Sequence, residues 1–305
     1  MSITRVPLIE ILNNNALDLP LEDESVDLVI TSPPYFSMRK YQNRGDIYDE
    51  QVGSESDVKG YLMALWTASA EIQRVLKPSG SLFLNIMDKY NSSASNQNGL
   101  GATLQGGSHE ANRIGRGTTV DDVPVKSLIG LPWKYAIGMM EGEAGEPWLL
   151  RSDMIWNKTN GMPDPTQDRA QRKHEYVFHF TKNGRYFANP QSVKAISTVL
   201  PIPTRGLRVP EHLSNLKHPA PFPVSLPLLL IDGWCPKNGV VLDPFGGSGT
   251  TALAAHVLGR DAISIDLSED YCNLAMWRVE DLSELAVARQ SALELSINLP
   301  PSRTP

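Results

Sequence analysis

The segment Val240-Val241-Leu242-Asp243-Pro244-Phe245-Gly246-Gly247-Ser248-Gly249-Thr250-Thr251 reads as a short apolar strand, a glycine-rich turn and the first turn of a helix. Glycines let the backbone approach a ligand closely, and the free N–H groups at a helix start favour a polar or charged ligand. A triphosphate loop has a lysine after its last glycine, where this chain has Thr250. Residues 247–252 fit the dinucleotide pattern loosely. The carboxylate of Asp243 and the glycine backbone also suit the amino acid end of S-adenosylmethionine.

Asp266 is a second carboxylate near this turn, at the end of a strand predicted over 261–266. A carboxylate in that place accepts hydrogen bonds from two ribose hydroxyls, in NAD and in S-adenosylmethionine alike. The glycine-rich turn and Asp266 therefore do not distinguish between NAD and S-adenosylmethionine as the cofactor. A tight turn without a ligand is the third alternative, and it would leave both acids unexplained.

Short apolar runs alternate with runs of helical spacing on both sides of this segment, which predicts an α/β fold with a parallel sheet. Strands are predicted at 6–12, 26–30, 81–86, 151–156, 175–181, 240–243 and 261–266. Helices are predicted at 57–76, 126–140, 222–234, 248–258 and 267–295. Residues 191–218 are dotted with prolines and predict irregular structure.

The composition of the 305 residues is that of an ordinary globular protein. No apolar run is long enough to span a membrane, and the first residues lack the core of a signal peptide, so we expect a cytoplasmic protein. The two cysteines, Cys235 and Cys272, are too few for a disulfide framework or a cysteine zinc site, and we expect no metal. Residues 91–119 are rich in Asn, Ser, Gly, Gln and Thr and predict a flexible insertion.

The net charge of −6 is unevenly distributed along the chain. Residues 151–217 carry eleven Lys or Arg and five Asp or Glu, a net charge of +6, which leaves −12 for the remainder. A basic segment on an acidic body is what a localised phosphate-binding face looks like. The alternative is a solvated surface whose charges never gather on one side.

A second unusual segment, Thr31-Ser32-Pro33-Pro34-Tyr35, follows the strand predicted at 26–30. Each proline fixes φ and removes a backbone N–H, so this turn is rigid and rich in free carbonyls. It also offers a hydroxyl and a flat ring. Such a turn suits gripping the edge and the face of a planar substrate that carries an amine.

Together the two segments resemble the amino-group DNA methyltransferases. Their order, with the proline turn first and the glycine turn near the C-terminus, resembles the permuted β group of that family. Further segments similar to the family cover most of the chain. They are residues 25–28, 76–80, 131–133, 150–158, 174–175 and 218–223, with Tyr271, Ala275 and Arg278.

The resemblance implies one S-adenosylmethionine-dependent methyltransferase domain over 1–305, with a Rossmann-like fold whose sheet is mostly parallel with one reversed hairpin strand. The cofactor-binding residues that it implies are Asp243, Pro244, Phe245, Gly246, Gly247, Ser248, Gly249, Thr250, Asp266, Asn15, Thr31, His218 and Phe222. The family often has Gly-Asp where this chain has Asn14-Asn15. An amide there can still donate to adenine and accept from it.

The resemblance also implies direct methyl transfer to an exocyclic amine of a base flipped out of duplex DNA. That amine is a poor nucleophile because its lone pair is delocalised into the ring. We expect the Ser32 hydroxyl and the Pro33 carbonyl to accept hydrogen bonds from its two hydrogens, Tyr35 to stack on the base, and Pro34 to hold the turn. Serine in the first position goes with N4 of cytosine in the family, and aspartate with N6 of adenine. Ser32 therefore favours cytosine N4, with adenine N6 as the alternative.

DNA recognition is expected in a region inserted at 159–217. The DNA-binding candidates are Arg169, Arg172, Lys173, Arg205 and Arg208. Such cations grip phosphates or read guanine edges. His174-Glu175 is interpreted as a structural pair at a strand end rather than a catalytic one. Trp156 and Lys158 have two equally favoured interpretations, as residues that pack against the target-base pocket or as ordinary core residues.

Three other function classes compete with this one. The first is an RNA or protein-amide methyltransferase with a similar proline turn, but the glutamine-modifying relatives usually carry Asn before the prolines and have a different chain order. A nicotinamide oxidoreductase gives no role to residues 32–35, and an inactive DNA-binding relative would not keep every expected catalytic residue. The expected partner is double-stranded DNA, with a cognate restriction enzyme as a further candidate. The protein is expected to be a monomer or a homodimer from a bacterium, an archaeon or a phage.

Overall fold

The computed structural model describes residues 5–37, 42–43, 46–47, 51–91, 123–161, 163, 166–207, 209–213 and 221–299. The strands are β1 (Ile9–Asn13), β2 (Val26–Thr31), β3 (Gln42–Asn43), β4 (Asp46–Ile47), β5 (Leu76–Ile86), β6 (Leu149–Asn157), β7 (His174–Thr181), β8 (Val199–Pro201), β9 (Val240–Asp243) and β10 (Asp261–Asp266). The helices are α1 (Val58–Val75), α2 (Leu131–Glu141), α3 (Pro190–Lys194), α4 (Ser225–Trp234), α5 (Thr250–Val257), α6 (Glu269–Glu280) and α7 (Leu282–Glu294).

Eight of these strands form one sheet in the order β1-β10-β9-β2-β5-β7-β6-β8. Neighbouring strands from β1 to β5 are parallel. β7 runs antiparallel to both β5 and β6, and β8 is parallel to β6. β7 is therefore the single reversed strand of this sheet. The expected α/β fold, mostly parallel with one reversed hairpin strand, is confirmed.

The sheet is covered by helices on both faces, which explains why β2 is mostly apolar, with Asp27 as its one charged residue. Leu28 and Ile30 belong to the core packed under α4, α5 and α7, whereas Val29 belongs to the core under α1 and α2. The connection from β9 to β10 runs through α5, and the connection from β2 to β5 runs through α1. These two connections leave neighbouring strands in opposite directions. In open α/β sheets, ligands bind in the crevice at the carboxyl ends of such a pair of strands.

Several predicted boundaries differ from the structure. The helix predicted at 267–295 is two helices, because Asp281 is extended and its side chain accepts from the N–H groups of Ser283 and Glu284. A carboxylate in that position caps the following helix. The region predicted as irregular, 191–218, contains the short helix α3 and the edge strand β8. β8 ends at Pro201, and a sheet edge tolerates proline because no ladder donor is needed there.

The flexible insertion predicted at 91–119 lies outside the described residues, apart from Asn91. The described ends of that region meet. The Asn91 N–H donates to Ser127 O at 2.8 Å, and the Lys126 N–H donates to Asn91 O at 2.8 Å. Asp88 accepts from the N–H groups of Gly130 and Leu131 at the start of α2. The loop after β5 and the loop before α2 are therefore held side by side. Within the described ranges, no helix is long and apolar enough to cross a membrane.

Asp27 links three strands, and its replacement tests that link. Its Oδ2 accepts from the Val240 N–H at 2.9 Å and from Lys77 Nζ at 2.8 Å, and its side chain is 12% exposed. Asp27→Ala leaves the Val240 N–H without this partner, so we expect a loss of roughly 1–3 kcal/mol in the free energy of unfolding, measured by urea denaturation. The matched control is Asp23→Ala, because Asp23 is 74% exposed and pairs with Arg74. That surface pair should contribute at most about 1 kcal/mol. Equal losses in the two variants would contradict the account.

Candidate active site

A cavity of about 230 Å³ opens at the carboxyl ends of β9, β2 and β5. Both unusual segments contribute to its wall, residues 32–35 from the proline turn and residues 243–248 from the glycine turn. Asn15, Thr250, Asp266 and Phe222 line it as well. Thr31 and Gly249 lie behind the wall. His218 lies outside the described residues, so the structure does not place it.

Asp243 is a buried carboxylate at the end of β9, and three groups hold it. Thr31 Oγ1 donates to its Oδ1 at 2.7 Å, and Thr251 Oγ1 donates to its Oδ2 at 2.7 Å. The Phe245 N–H also donates to Oδ1, at 3.2 Å. Burial raises the pKa of Asp243 to about 6, although these hydrogen bonds act in the opposite direction. The carboxylate therefore ties the end of β2 to the turn after β9.

The glycine turn packs too closely against β10 and α6 for side chains at two of its positions. A Cβ at Gly246 would lie 1.9 Å from Ser264 Oγ. Gly249 has a φ of +71°, and a Cβ there would lie 2.8 Å from the Cβ of Ala275. Both positions therefore require glycine, which lets the backbone of the turn pack directly against β10 and α6.

Asp266 lies at the end of β10, beside the glycine turn. Its Oδ2 accepts from the Gly247 N–H at 2.9 Å, and its Oδ1 accepts from the Ser268 N–H at 2.8 Å. Burial raises the pKa of Asp266 to about 6. Each carboxylate oxygen can accept a second hydrogen bond. Asp266 can therefore hold the turn and still accept hydrogen bonds from a ligand in the cavity.

The proline turn is anchored from two sides. Tyr61 Oη, from α1, donates to the Pro34 carbonyl at 3.0 Å. Tyr35 Oη donates to Glu175 Oε2 at 2.5 Å. Burial, followed by the neighbouring Glu175 carboxylate, raises the pKa of Tyr35 well above its usual range, so the phenol stays protonated. Pro33 lines the cavity, and its carbonyl accepts no hydrogen bond from the described residues.

Sequence reasoning missed Asn85 and undervalued Glu175. Both line the cavity, and Asn85 Nδ2 donates to Glu175 Oε2 at 2.6 Å. Lys158, for which the sequence favours neither pocket nor core, also lines the cavity and donates to Glu175 Oε1. One signal was available for Asn85, since it is the one polar residue in the buried stretch 82–86 at the end of β5. Glu175 reaches this edge because β7 is reversed, so that its first residues lie at the carboxyl ends of the parallel strands.

The structure brings together some of the predicted DNA-binding cations and separates others. Arg169 and Arg172 both lie over the ring of Tyr90, with their guanidinium carbons 3.6 and 5.6 Å from its centre. Lys173 is exposed and pairs through its backbone carbonyl with the Lys158 N–H. Arg205 is exposed on a different segment, next to Thr204 of the cavity wall. Arg208 lies outside the described residues.

Comparison with known proteins identifies relatives over most of the chain. A family model described as DNA methylase, for N6 and N4 methyltransferases, matches residues 26–276. The type II methyltransferase M.SmaI of Serratia marcescens is 33% identical over 263 residues, which cover 85% of this chain and 86% of that protein. The type II methyltransferase M.Cfr9I of Citrobacter freundii is 33% identical over 277 residues, which cover 88% of this chain and 86% of that protein.

Solved structures share the fold. The cytosine-N4-specific PvuII DNA methyltransferase aligns with a TM-score of 0.66 and 21% identity, over 95% of this chain and 94% of that one. TTHA0409 of Thermus thermophilus, solved with S-adenosyl-L-methionine, aligns with a TM-score of 0.55 and 23% identity. The alignment covers 92% of this chain and 96% of that chain. With the family match and the relatives above, this chain belongs to the N6/N4 DNA methylase family.

Proposed function

We propose that this DNA methyltransferase modifies the exocyclic N4 of cytosine at a specific DNA site, with S-adenosylmethionine as the methyl donor. The observation that carries the proposal is the position of Ser32. It lies in the wall of the same cavity as the glycine turn and Asp266. The name of the PvuII neighbour, cytosine-N4-specific, supports the choice of base. N6 of adenine is the second candidate, because the matching family includes both kinds of enzyme.

The residues around the glycine turn fit S-adenosylmethionine, which supplies a methyl group activated by its sulfonium charge when bound. Asp266 presents carboxylate oxygens suited to the two ribose hydroxyls. Gly246 and Gly247 bring the backbone close enough to contact the amino acid end, with Asp243 fixed behind them. Asn15 and Phe222 offer an amide and a ring for the adenine. The remaining predicted cofactor residues are Pro244, Phe245, Ser248, Gly249, Thr250, Thr31 and His218.

The proline turn then positions the acceptor amine. Ser32 Oγ and the Pro33 carbonyl accept hydrogen bonds from its two hydrogens, which favours a pyramidal nitrogen whose lone pair faces the methyl group. Tyr35 stacks on the base, and Pro34 is held by Tyr61. The rate gain comes mainly from positioning and electrostatics. The target base must leave the duplex, which costs a few kcal/mol.

The DNA contacts are assigned to the basic residues of the region 159–217. Arg169 and Arg172 form one group on Tyr90, and Lys173 lies beside them in sequence. Arg205, which follows Thr204 of the cavity wall, and Arg208, three residues further along the chain, are assigned to a second set of contacts. A cognate restriction enzyme, a monomeric or homodimeric state and a cytoplasmic location remain part of this proposal.

The product of the reaction tests the proposal directly. The protein is incubated with labelled S-adenosylmethionine and mixed-sequence duplex DNA, and the DNA is digested to nucleosides. We expect label in N4-methylcytosine, resolved by chromatography and mass spectrometry. Label in N6-methyladenine would replace the base assignment with the second candidate, and unlabelled DNA would overturn the proposal.

Replacement of Ser32 tests the assignment of the proline turn. Ser32→Ala removes one acceptor for the amine, and we expect kcat to fall by about 100-fold or more, as when one preorganised hydrogen-bonding group is lost. The dissociation constant for S-adenosylmethionine should stay within about twofold. Ser25→Ala is the matched control, because Ser25 bonds only to Glu22 O at an exposed site outside the cavity. Normal turnover by Ser32→Ala would show that the turn does not grip the amine.

Asp266 makes cofactor binding sensitive to pH. With a pKa of about 6, the carboxylate is ionised near neutral pH and becomes protonated as the pH falls through 6, which removes hydrogen-bond acceptors and a negative charge from the site. We expect the affinity for S-adenosylmethionine, measured by calorimetry, to fall between pH 7.5 and pH 5, and Asp266→Asn to bind weakly with a flatter profile.

Unfolding does not explain such a loss of affinity. Because the pKa values of Asp243 and Asp266 are raised in the folded protein, these acids contribute stability at low pH that is lost as the pH rises through 6. Thermal melting of the unliganded protein over the same range is the control. Equal pH dependence in wild type and Asp266→Asn would contradict the role of Asp266.

A further inference from the structure

Four elements bring a polar cluster to the floor of the cavity. It consists of Ser32 and Tyr35 after β2, Asn85 on β5, Glu175 on β7 and Lys158 after β6. Asn85 and Glu175 are only 3% and 4% exposed. Buried polar groups are costly unless they are paired, so a cluster of this kind has a specific arrangement of donors and acceptors.

Glu175 sets the direction of the hydrogen bonds in this cluster. An ionised carboxylate only accepts, and Lys158 occupies its Oε1. Its Oε2 accepts from Tyr35 Oη at 2.5 Å and from Asn85 Nδ2 at 2.6 Å. The one phenolic hydrogen of Tyr35 is therefore committed to Glu175, so the Tyr35 oxygen is left as an acceptor.

That acceptor faces Ser32. Ser32 Oγ lies 3.4 Å from Tyr35 Oη, with the hydroxyl of Ser32 as donor. Asn85 Nδ2 lies 2.6 Å from Glu175 and 3.0 Å from Tyr35, but 3.3 Å from Ser32. Glu175 Oε2 and Tyr35 Oη lie only 2.5 Å apart, so they share one hydrogen of the Asn85 amide, and the other hydrogen is donated to Ser32 Oγ. Ser32 therefore donates its hydrogen to Tyr35 and accepts from Asn85, which leaves one lone pair of its oxygen for the cavity.

We propose that Glu175 and the hydroxyl of Tyr35 are positioning residues that hold Ser32 as a hydrogen-bond acceptor for the target amine. The chain Ser32–Tyr35–Glu175 gives the Tyr35 hydroxyl a role separate from the stacking of its ring. Lys158 forms an ion pair with the carboxylate and holds its other oxygen. The inference rests on the proposed function only in requiring an exocyclic amine as the acceptor, and it applies to N4 of cytosine and N6 of adenine alike.

Tyr35→Phe separates the hydroxyl from the ring. We expect kcat to fall by about 10- to 100-fold, because Ser32 loses its fixed direction, while KM for DNA stays within about twofold, because the ring still stacks. Glu175→Gln should cause a similar fall. Its amide can donate to Tyr35, which would turn the hydroxyls of Tyr35 and Ser32 so that Ser32 points its hydrogen at the amine. Tyr186→Phe is the matched control, since Tyr186 bonds to Arg151 and is absent from the cavity wall.

The double variant Tyr35→Phe/Glu175→Gln decides between this chain and two independent roles. If Glu175 acts through Tyr35, the double variant is no slower than the slower single variant. Independent, additive losses would overturn the inference, as would a wild-type kcat in Tyr35→Phe. Thermal melting of each variant shows whether a loss reflects unfolding.

The product of the wild-type enzyme, identified in the same assay, tests the proposed function separately. If it is N6-methyladenine, the base assignment fails while the ratios of kcat still decide the inference. If the wild-type protein transfers no methyl group to either base, both the proposed function and the inference about Glu175 and Tyr35 are overturned.

Discussion

The buried hydrogen bond from Thr31 to Asp243 is the interaction on which the rest of the site depends. It joins residues 212 positions apart, at the ends of the adjacent parallel strands β2 and β9. One strand leads into the proline turn and the other into the glycine turn. Because the bond fixes the two strand ends against each other, the proline turn and the glycine turn face one cavity.

The electrostatics of this edge follow from its burial. The pKa values of Asp243 and Asp266 are raised to about 6, because burial disfavours their charged forms. Glu175 is also buried and forms an ion pair with Lys158. Negative charge near the glycine turn suits a cationic cofactor, whereas Glu175, already neutralised by Lys158, is better suited to orienting hydroxyls. The two halves of the cavity therefore use carboxylates for different purposes.

The elements that the sequence predicted best are those whose structure is determined by residues close together in the chain. The strand at 240–243, the glycine turn and the strand ending at Asp266 depend on apolar runs and glycines that can be recognised in isolation. The break at Asp281 was missed because a capping carboxylate inside a long helical pattern resembles any exposed acid. β8 was missed because three residues give too short a pattern.

Asn85 and Glu175 show why the site itself was only partly predictable. They lie 90 residues apart, and they meet because β7 is reversed and pairs with β5. No local pattern contains that pairing. The resemblance to the methyltransferase family supplied the reversed strand, but it did not show which polar side chains the reversal would bring under Ser32.

The central claim is that the proline turn grips the exocyclic amine while the Thr31–Asp243 bond holds the cofactor turn opposite it. A crystal structure of the protein with S-adenosylhomocysteine and a duplex containing its recognition site tests this most directly. The account predicts a flipped base whose amine nitrogen lies within hydrogen-bond distance of Ser32 Oγ and the Pro33 carbonyl, with Tyr35 still bonded to Glu175. A flipped base whose amine lies against any other group, with Ser32 out of reach, would contradict it.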